Sequence, residues 1–589
     1  QGRSGGYVSS DKCQSCHPGQ YDTWHHSFHR TMTQVASPAT VLGNFDNVTL
    51  SLDGEPILLQ RRGDEFLAEM IDPDWKHDLV KARLRGQPLA GTNNPPRVWK
   101  RITMLTGSHH MQAYWVPSRR GNVQFGFPFA WLIQEQRWAP RKDTFIRDPD
   151  AASPIQIWNL NCIQCHSTGG QPGEHLMTKV VNSRVGEFGI ACESCHGPAE
   201  EHVRANANPL RRYFLHGDNG GDPTITNPAR ISATRSSQLC GQCHAIRANL
   251  HHEEWRQTGS DFRPGDDLAQ HAQVIHASKL IAQSRLRDAS RLDPTLLQNL
   301  FWPDGMVRVT GREYNGLIDT PCHTRGELSC LSCHSMHDYD DRDDQLAARM
   351  NSNLACLQCH SAFESKLQEH THHAASSAGS LCYNCHMPHT TYGLLKAVRS
   401  HQIDSPRVKA SLETGRPNAC NLCHLDQTLE WASTWLSKWF GHAKIELAPE
   451  EQRVSAALLW LLKGDAAQRA VVAWHMGWEP ARTASGDRWQ APFLATLLAE
   501  EPYAAVRSIA YQSLKSAPGF AAVAYDFTGN PPERKDVARH VFDSWNALQT
   551  NRLDRADDKL LIGPAGILDR KAVDQLLQRR NHRMVELVE

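Results

Sequence analysis

The chain has 589 residues, and its 63 Lys and Arg balance 63 Asp and Glu for a formal net charge of zero. That length allows about two to four domains, and the charge balance gives no pull toward nucleic acid, an anionic membrane surface or a polyacidic substrate. The unusual numbers are 17 Cys and 32 His; disulfides, zinc and haem would each use such residues, so spacing has to decide.

The chain opens at Gln1 on a Gly/Ser-rich stretch without an apolar h-region, read as a mature terminus left by cleavage or as the start of a trimmed piece. The longest apolar runs, such as Val454 to Leu462, fall far short of the ~20 residues that span a bilayer, so no transmembrane segment is predicted. CQSCH follows at Cys13, Cys16 and His17, and residues 1–40 are taken as a first cofactor segment.

Beyond it, Val48 to Leu52 alternates, Asp53-Gly54 is a hairpin turn signal, and Ile57 to Gln60 and Phe66 to Met70 follow as strands. Gly121 to Phe129 and Trp131 to Gln134 are strand-like as well, and residues 41–150 are predicted to form a small β-rich insertion. Residues 151–430 hold seven further copies of the same pentapeptide, with a partly helical stretch from Pro264 to Asp304.

These copies are CIQCH (Cys162, Cys165, His166), CESCH (Cys192, Cys195, His196), CGQCH (Cys240, Cys243, His244) and CLSCH (Cys330, Cys333, His334). CLQCH (Cys356, Cys359, His360), CYNCH (Cys382, Cys385, His386) and CNLCH (Cys420, Cys423, His424) complete the set. After residue 430 the Cys disappear and helical patterns take over. Pro449 to Lys463 reads as one helix ended by Gly464, Tyr503 to Ser516 carries an apolar stripe, and Glu533 to Gln549 and Lys571 to Gln578 are further helices. Residues 431–589 are expected to be a helical domain, either a HEAT-like stacked array or one irregular bundle.

Composition alone would produce roughly 0.03 copies of C-x-x-C-H, and eight are present, using 16 of the 17 Cys. The pattern is the attachment signature of haem c. Each Cys forms a thioether to a haem vinyl group, two intervening residues let one turn present both sulfurs, and the adjacent His lies under the iron. Zinc knuckles and redox C-x-x-C pairs have no need of that adjacent His. The prediction is eight covalent haems in a mainly α chain built around them, and an exported, periplasmic or extracellular location, since haem c is attached outside the cytoplasm.

The residues in and around the motifs carry a resemblance. CQSCHPGQYDTWHHSFH from Cys13, TGSHHMQAYW from Thr106, EQRWAPR from Glu135, CESCHGPAEEHV from Cys192, DGMVRVTGREYNG from Asp304, CLSCHSMH from Cys330, CYNCHMPHTTYG from Cys382 and RPNACNLCH from Arg416 are in point. Together they resemble the multihaem cytochromes of the octahaem hydroxylamine oxidoreductase and pentahaem nitrite reductase superfamily, in a branch with a helical-repeat C-terminus. The pentahaem nitrite reductases place Lys where the catalytic haem's motif has His; all eight motifs here end in His, which speaks against transferring that active site.

Twenty-four His remain once the eight motif His are set aside. The resemblance implies distal iron ligands among His29, His109 or His110, His202, His337, His372 or His373, and His401, with His389, His252 and His323 as further options. His337 lies three residues past His334 and so suits a neighbouring haem better than its own. His442, His475, His540 and His582 are expected not to bind iron. Cys322, the odd thiol, is either packed beside a haem or part of a substrate-facing pocket with His323, Tyr314 and Arg325.

Three functions are compatible with this. A chain of closely spaced haems would pass electrons between redox partner proteins. One open haem would make an oxidoreductase for a small nitrogen or sulfur compound such as nitrite, hydroxylamine, sulfite or tetrathionate. The C-terminal helices would serve docking or self-assembly.

Overall fold

A computed structural model describes residues 5–87, 94–217, 221–276, 295–549 and 557–588. The chain divides into two compact units: Gln1–Lys142, Ala152–Val274 and Glu327–Asn351 form one, and Asp143–Ala151, Ile275–Gly326 and Ser352–Glu589 form the other. The first therefore carries the motifs beginning at Cys13, Cys162, Cys192, Cys240 and Cys330, and the second those at Cys356, Cys382 and Cys420.

In the first unit the chain runs through β1 (Thr33–Val35), β2 (Val48–Leu52), β3 (Glu55–Arg62), β4 (Glu65–Ile71), β5 (Arg97–Arg101), β6 (Met104–Thr106), β7 (Met111–Pro117), β8 (Gln124–Leu132) and β9 (Arg137–Pro140). They make two antiparallel sheets, ordered β2-β3-β4-β5 and β1-β6-β7-β8-β9. The hairpin between β2 and β3 turns at Asp53 and Gly54, whose φ values of 52° and 84° are those of a tight primed turn matching the strand twist. Phe45, Leu59, Phe66, Tyr114, Phe127, Trp131 and Trp138 fill the core between the sheets. Gly43 is required there, because a Cβ would sit 2.6 Å from the Trp138 ring and 2.7 Å from the Tyr114 hydroxyl.

The two strand-like segments read between Gly121 and Gln134 are one strand, β8. The gap read at Ala130 is continuous strand, and Pro128 lies within it. Pairing to β7 slips between Ala113 and Trp115, opposite Ala130 and Gly126, so a residue without an N–H sits in the irregularity rather than in a regular ladder.

The second unit contains Leu429–Phe440, Pro449–Arg453, Ala456–Lys463, Ala466–Gly477, Glu479–Ser485, Ala491–Glu500, Ala504–Ser516, Pro531–Gln549 and Arg570–Gln578, all α-helical. The expected single helix from Pro449 to Lys463 is two. Val454 adopts an extended conformation, and the Ser455 side chain accepts from the Leu458 N–H, capping a new helix. Of the stretch from Pro264 to Asp304, residues 277–294 lie outside the described residues; Leu296–Leu300 is helical. Among the described residues, no helix is long and apolar enough to cross a membrane.

The two kinds of helix bury very different surfaces. Ala456–Lys463 buries every residue from Ala456 to Leu462. Leu354–Leu357, which contains the first cysteine of the motif at Cys356, and Leu367–Thr371, which follows that motif, bury none against protein. The C-terminal helices also enclose an ion pair: Arg469 donates to both oxygens of Glu501 at 2.6 and 2.8 Å, with side chains 2% and 0% exposed. Removing one partner strands a buried charge. Glu501→Ala is expected to cost about 3–5 kcal/mol of stability, read as a lower denaturation midpoint of far-UV helical signal in the haem-loaded chain; an unchanged midpoint would contradict this assignment.

Candidate haem sites

Each motif folds as a single helical turn. The backbone N–H of His17, His166, His244, His334, His360 and His424 donates to the carbonyl of the first Cys of its own motif at 2.8–2.9 Å. The other two motifs are the helices Cys192–His196 and Cys382–His386. This i, i+4 bond puts the two Cys on one face and the His at the end of the turn. None of the 17 Cys is in a disulfide.

The histidines meet in twos. His17 faces His202 with ring centroids 6.3 Å apart, His196 faces His337 at 6.3 Å, and His29 faces His244 at 6.4 Å. In the second unit His370 faces His386 at 6.2 Å and His373 faces His424 at 6.0 Å. Every pair joins one motif His to one from elsewhere. Two imidazoles bound to opposite sides of one metal, each through a bond of about 2 Å and with a ring radius of about 1.1 Å, place their centroids about 6.3 Å apart. Direct stacking brings rings much closer, as for His109 on His110 at 3.6 Å.

Protonation and orientation suit the same role. Burial, reinforced by His244, holds His29 down at about 4, and burial with His373 beside it does the same for His424. Burial also lowers His196, His337 and His370. These rings are kept neutral, which is the form that binds a metal. Several are fixed through Nδ1, which leaves Nε2 for iron. His196 donates to the Thr226 carbonyl at 2.8 Å, His337 to Gln20 at 3.1 Å, His386 to Asp404 at 3.0 Å and His373 to Thr371 at 2.6 Å. His29 Nδ1 meets the Gln345 side-chain oxygen at 2.5 Å.

The donor chemistry fits haem iron better than a bare metal. Among the described residues, no group of three or more His, Cys, Asp and Glu gathers as a metal-ion site would; paired imidazoles leave four equatorial positions for a porphyrin. The motifs also come together sulfur to sulfur. Cys13 is in side-chain contact with Cys192, a contact that raises its thiol, and Cys243 and Cys240 are pushed well up by Cys165 and Cys330. Cys356 contacts Cys382 and lowers it to about 7, and Cys385 lies near Cys420 and Cys423.

A family model described as cytochrome c554 and c-prime matches residues 136–197, which contain the motifs at Cys162 and Cys192. That match and the eight C-x-x-C-H motifs support a multihaem c-type cytochrome. Comparison with curated protein sequences gives no match. Among solved structures, the chain is similar to an outer cell wall cytochrome, OcwA, at 16% identity and a TM-score of 0.48, over 91% of this chain and 99% of the other. It is also similar to an undecahaem cytochrome from the S-layer of Carboxydothermus ferrireducens, at 16% identity and a TM-score of 0.32, over 92% and 69%.

The structure places the other sequence candidates as follows. His109 stacks on Phe28 at 4.1 Å and its Nε2 is 3.3 Å from Asp343. His372 stacks on Trp439 at 4.3 Å, so of the adjacent pair it is His373 that faces a motif His. His252 stacks on Trp255, and His389 lies among Trp474, His475 and Trp478. His475 is fully enclosed and burial drops it to about 3. His401 is partly buried, and Cys322 is partly buried in the helix Pro321–Thr324. His110 packs on His109.

His370 escaped the sequence reading. Its only signal was its place at the end of the helix Leu367–Thr371, just before His372 and His373. His370→Ala is expected to convert one haem from low to high spin in the oxidised EPR spectrum, whereas His372→Ala leaves the spectrum unchanged. The opposite pattern would reassign the ligand.

Proposed function

We propose that the chain is an octahaem c-type cytochrome that works outside the cytoplasm and transfers electrons between redox partner proteins. The observation that carries this reading is the set of five facing histidine pairs. An iron with both axial sites filled by imidazole exchanges electrons without binding substrate, and its ligands stay in place in both oxidation states.

In this reading Cys13 and Cys16, Cys162 and Cys165, Cys192 and Cys195, Cys240 and Cys243, Cys330 and Cys333, Cys356 and Cys359, Cys382 and Cys385, and Cys420 and Cys423 attach the haems. His17, His166, His196, His244, His334, His360, His386 and His424 are the proximal ligands. His202, His337, His29, His370 and His373 are distal ligands to the haems of His17, His196, His244, His386 and His424. The contacts between motif sulfurs support close approach of haem edges, in the order Cys13–Cys192 and Cys165–Cys243–Cys240–Cys330 within the first unit and Cys356–Cys382–Cys385–Cys420 within the second. The side-chain-built C-terminal helices are read as a HEAT-like docking or assembly surface.

Intact mass is expected to exceed the polypeptide by eight haems, and a reduced dye is expected to reduce the protein fully, with rapid reoxidation by a soluble electron acceptor. Nitrite, hydroxylamine and sulfite should give no turnover. A mass corresponding to fewer haems would overturn the count, and sustained turnover of any of these substrates would overturn the electron-carrier reading in favour of an enzyme.

A further inference from the structure

The hydrogen bonds behind the paired histidines are not equivalent. His196, His337, His386 and His373 donate Nδ1–H to backbone carbonyls, and His29 meets a side-chain amide oxygen. All five acceptors are neutral. His202, which faces His17, is placed differently: its Nδ1 lies 3.1 Å from Oδ2 of Asp222. Thr224 Oγ1 at 3.3 Å and Asn206 Nδ2 at 3.1 Å are the other neighbours of that nitrogen. The Asn206 nitrogen is itself a donor and cannot accept the ring proton. It donates to Asp222 Oδ2 at 2.6 Å, so the carboxylate is the strongest acceptor at hand.

Asp222 is built to remain a carboxylate. Arg211 donates to Oδ1 at 2.7 Å and to Oδ2 at 3.3 Å, while the Thr224 hydroxyl and backbone N–H donate to Oδ1 at 2.6 and 3.0 Å. The bonds from Thr224 and Asn206 and the Arg211 guanidinium all favour the ionised form. The side chain is only 12% exposed, against 21% for His202, so solvent weakens the contact little.

We propose that Asp222 is a redox-tuning residue, which acts through His202 to lower the potential of the haem attached at Cys13 and Cys16. The proposal rests on reading His17 and His202 as the axial pair of that haem. An imidazole that donates to a carboxylate gains anionic character and becomes a stronger donor to iron. Stronger donation stabilises the ferric over the ferrous state, and hydrogen bonding to ligands is one of the means by which a protein sets haem potential. The neighbouring haem at Cys192, brought in by the contact of Cys13 with Cys192, has His196 and His337 bonded to neutral carbonyls. An electron leaving ferrous iron at the first haem for ferric iron at the second therefore runs downhill, which gives this pair a direction.

The test uses the full haem-loaded chain, with potentiometric titration followed by optical and EPR spectra at one fixed pH. Asp222→Asn keeps the shape and a neutral acceptor; it is expected to move the midpoint of one haem to more positive potential while the number of low-spin haems stays the same. Asp222→Glu is expected to titrate close to the parent. His202→Met is the control for the ligand assignment and should give one haem a His/Met spectrum. If His202→Met alters one haem and Asp222→Asn titrates like the parent, the axial reading stands and the tuning role is overturned. If His202→Met alters no haem, the axial reading fails and the tuning role falls with it. A new high-spin haem in Asp222→Asn would also overturn the proposal, since Asp222 would then hold His202 in place without setting its donor strength.

Discussion

An iron bound by two imidazoles imposes a demanding condition on a folded chain. Two histidines must be uncharged, must face each other across about 6 Å, and must each have the second ring nitrogen occupied so that the first points inward. Burial supplies the first requirement at His29 and His424, both held at about 4. The fold supplies the second by bringing His202 opposite His17 and His337 opposite His196. Backbone carbonyls of Thr226, Gln20, Asp404 and Thr371 supply the third.

The same condition explains why the molecule has two styles of core. The sheets of the first unit and the C-terminal helices of the second pack side chain on side chain, with Trp138 and Phe45 in one and Leu458 to Leu462 in the other fully or nearly enclosed. Several of the short helices at the motifs, Asp11–Gln14, Leu354–Leu357 and Leu367–Thr371 among them, bury none of their own residues. A covalent porphyrin is a large apolar partner, and short turns that could never be stable alone become stable when they are tied to it at two sulfurs and an iron. In the C-terminal helices, the buried Arg469–Glu501 pair ties Ala466–Gly477 to the end of Ala491–Glu500.

What the sequence revealed followed the range of each interaction. The attachment residues were legible because five consecutive residues carry the whole geometry. The strand Val48–Leu52 and its Asp53-Gly54 turn were legible for the same local reason. The partners of the motif histidines were legible only in part: His29, His202, His337 and His373 stood among the candidates, but nothing near His202 in sequence says that it faces His17. His370, His372 and His373 look alike on paper; only the packing of His372 on Trp439 separates them. The break at Ser455 was hidden because Pro449 and its acidic residues read as the start of the same helix that the apolar run from Ala456 continues, although a serine followed by helical residues is a capping signal. The opposite error fell at Ala130, where a small residue between two apolar segments was read as a gap in what is one strand, Gln124–Leu132.

The account stands on iron lying between the paired rings. Anomalous diffraction at the iron edge from crystals of the haem-loaded protein tests that directly. The account predicts eight iron peaks, five of them midway between His17 and His202, His196 and His337, His29 and His244, His370 and His386, and His373 and His424. Iron bound to the motif histidine of any of these pairs with a different sixth ligand, or a pair with no iron between its rings, would contradict it.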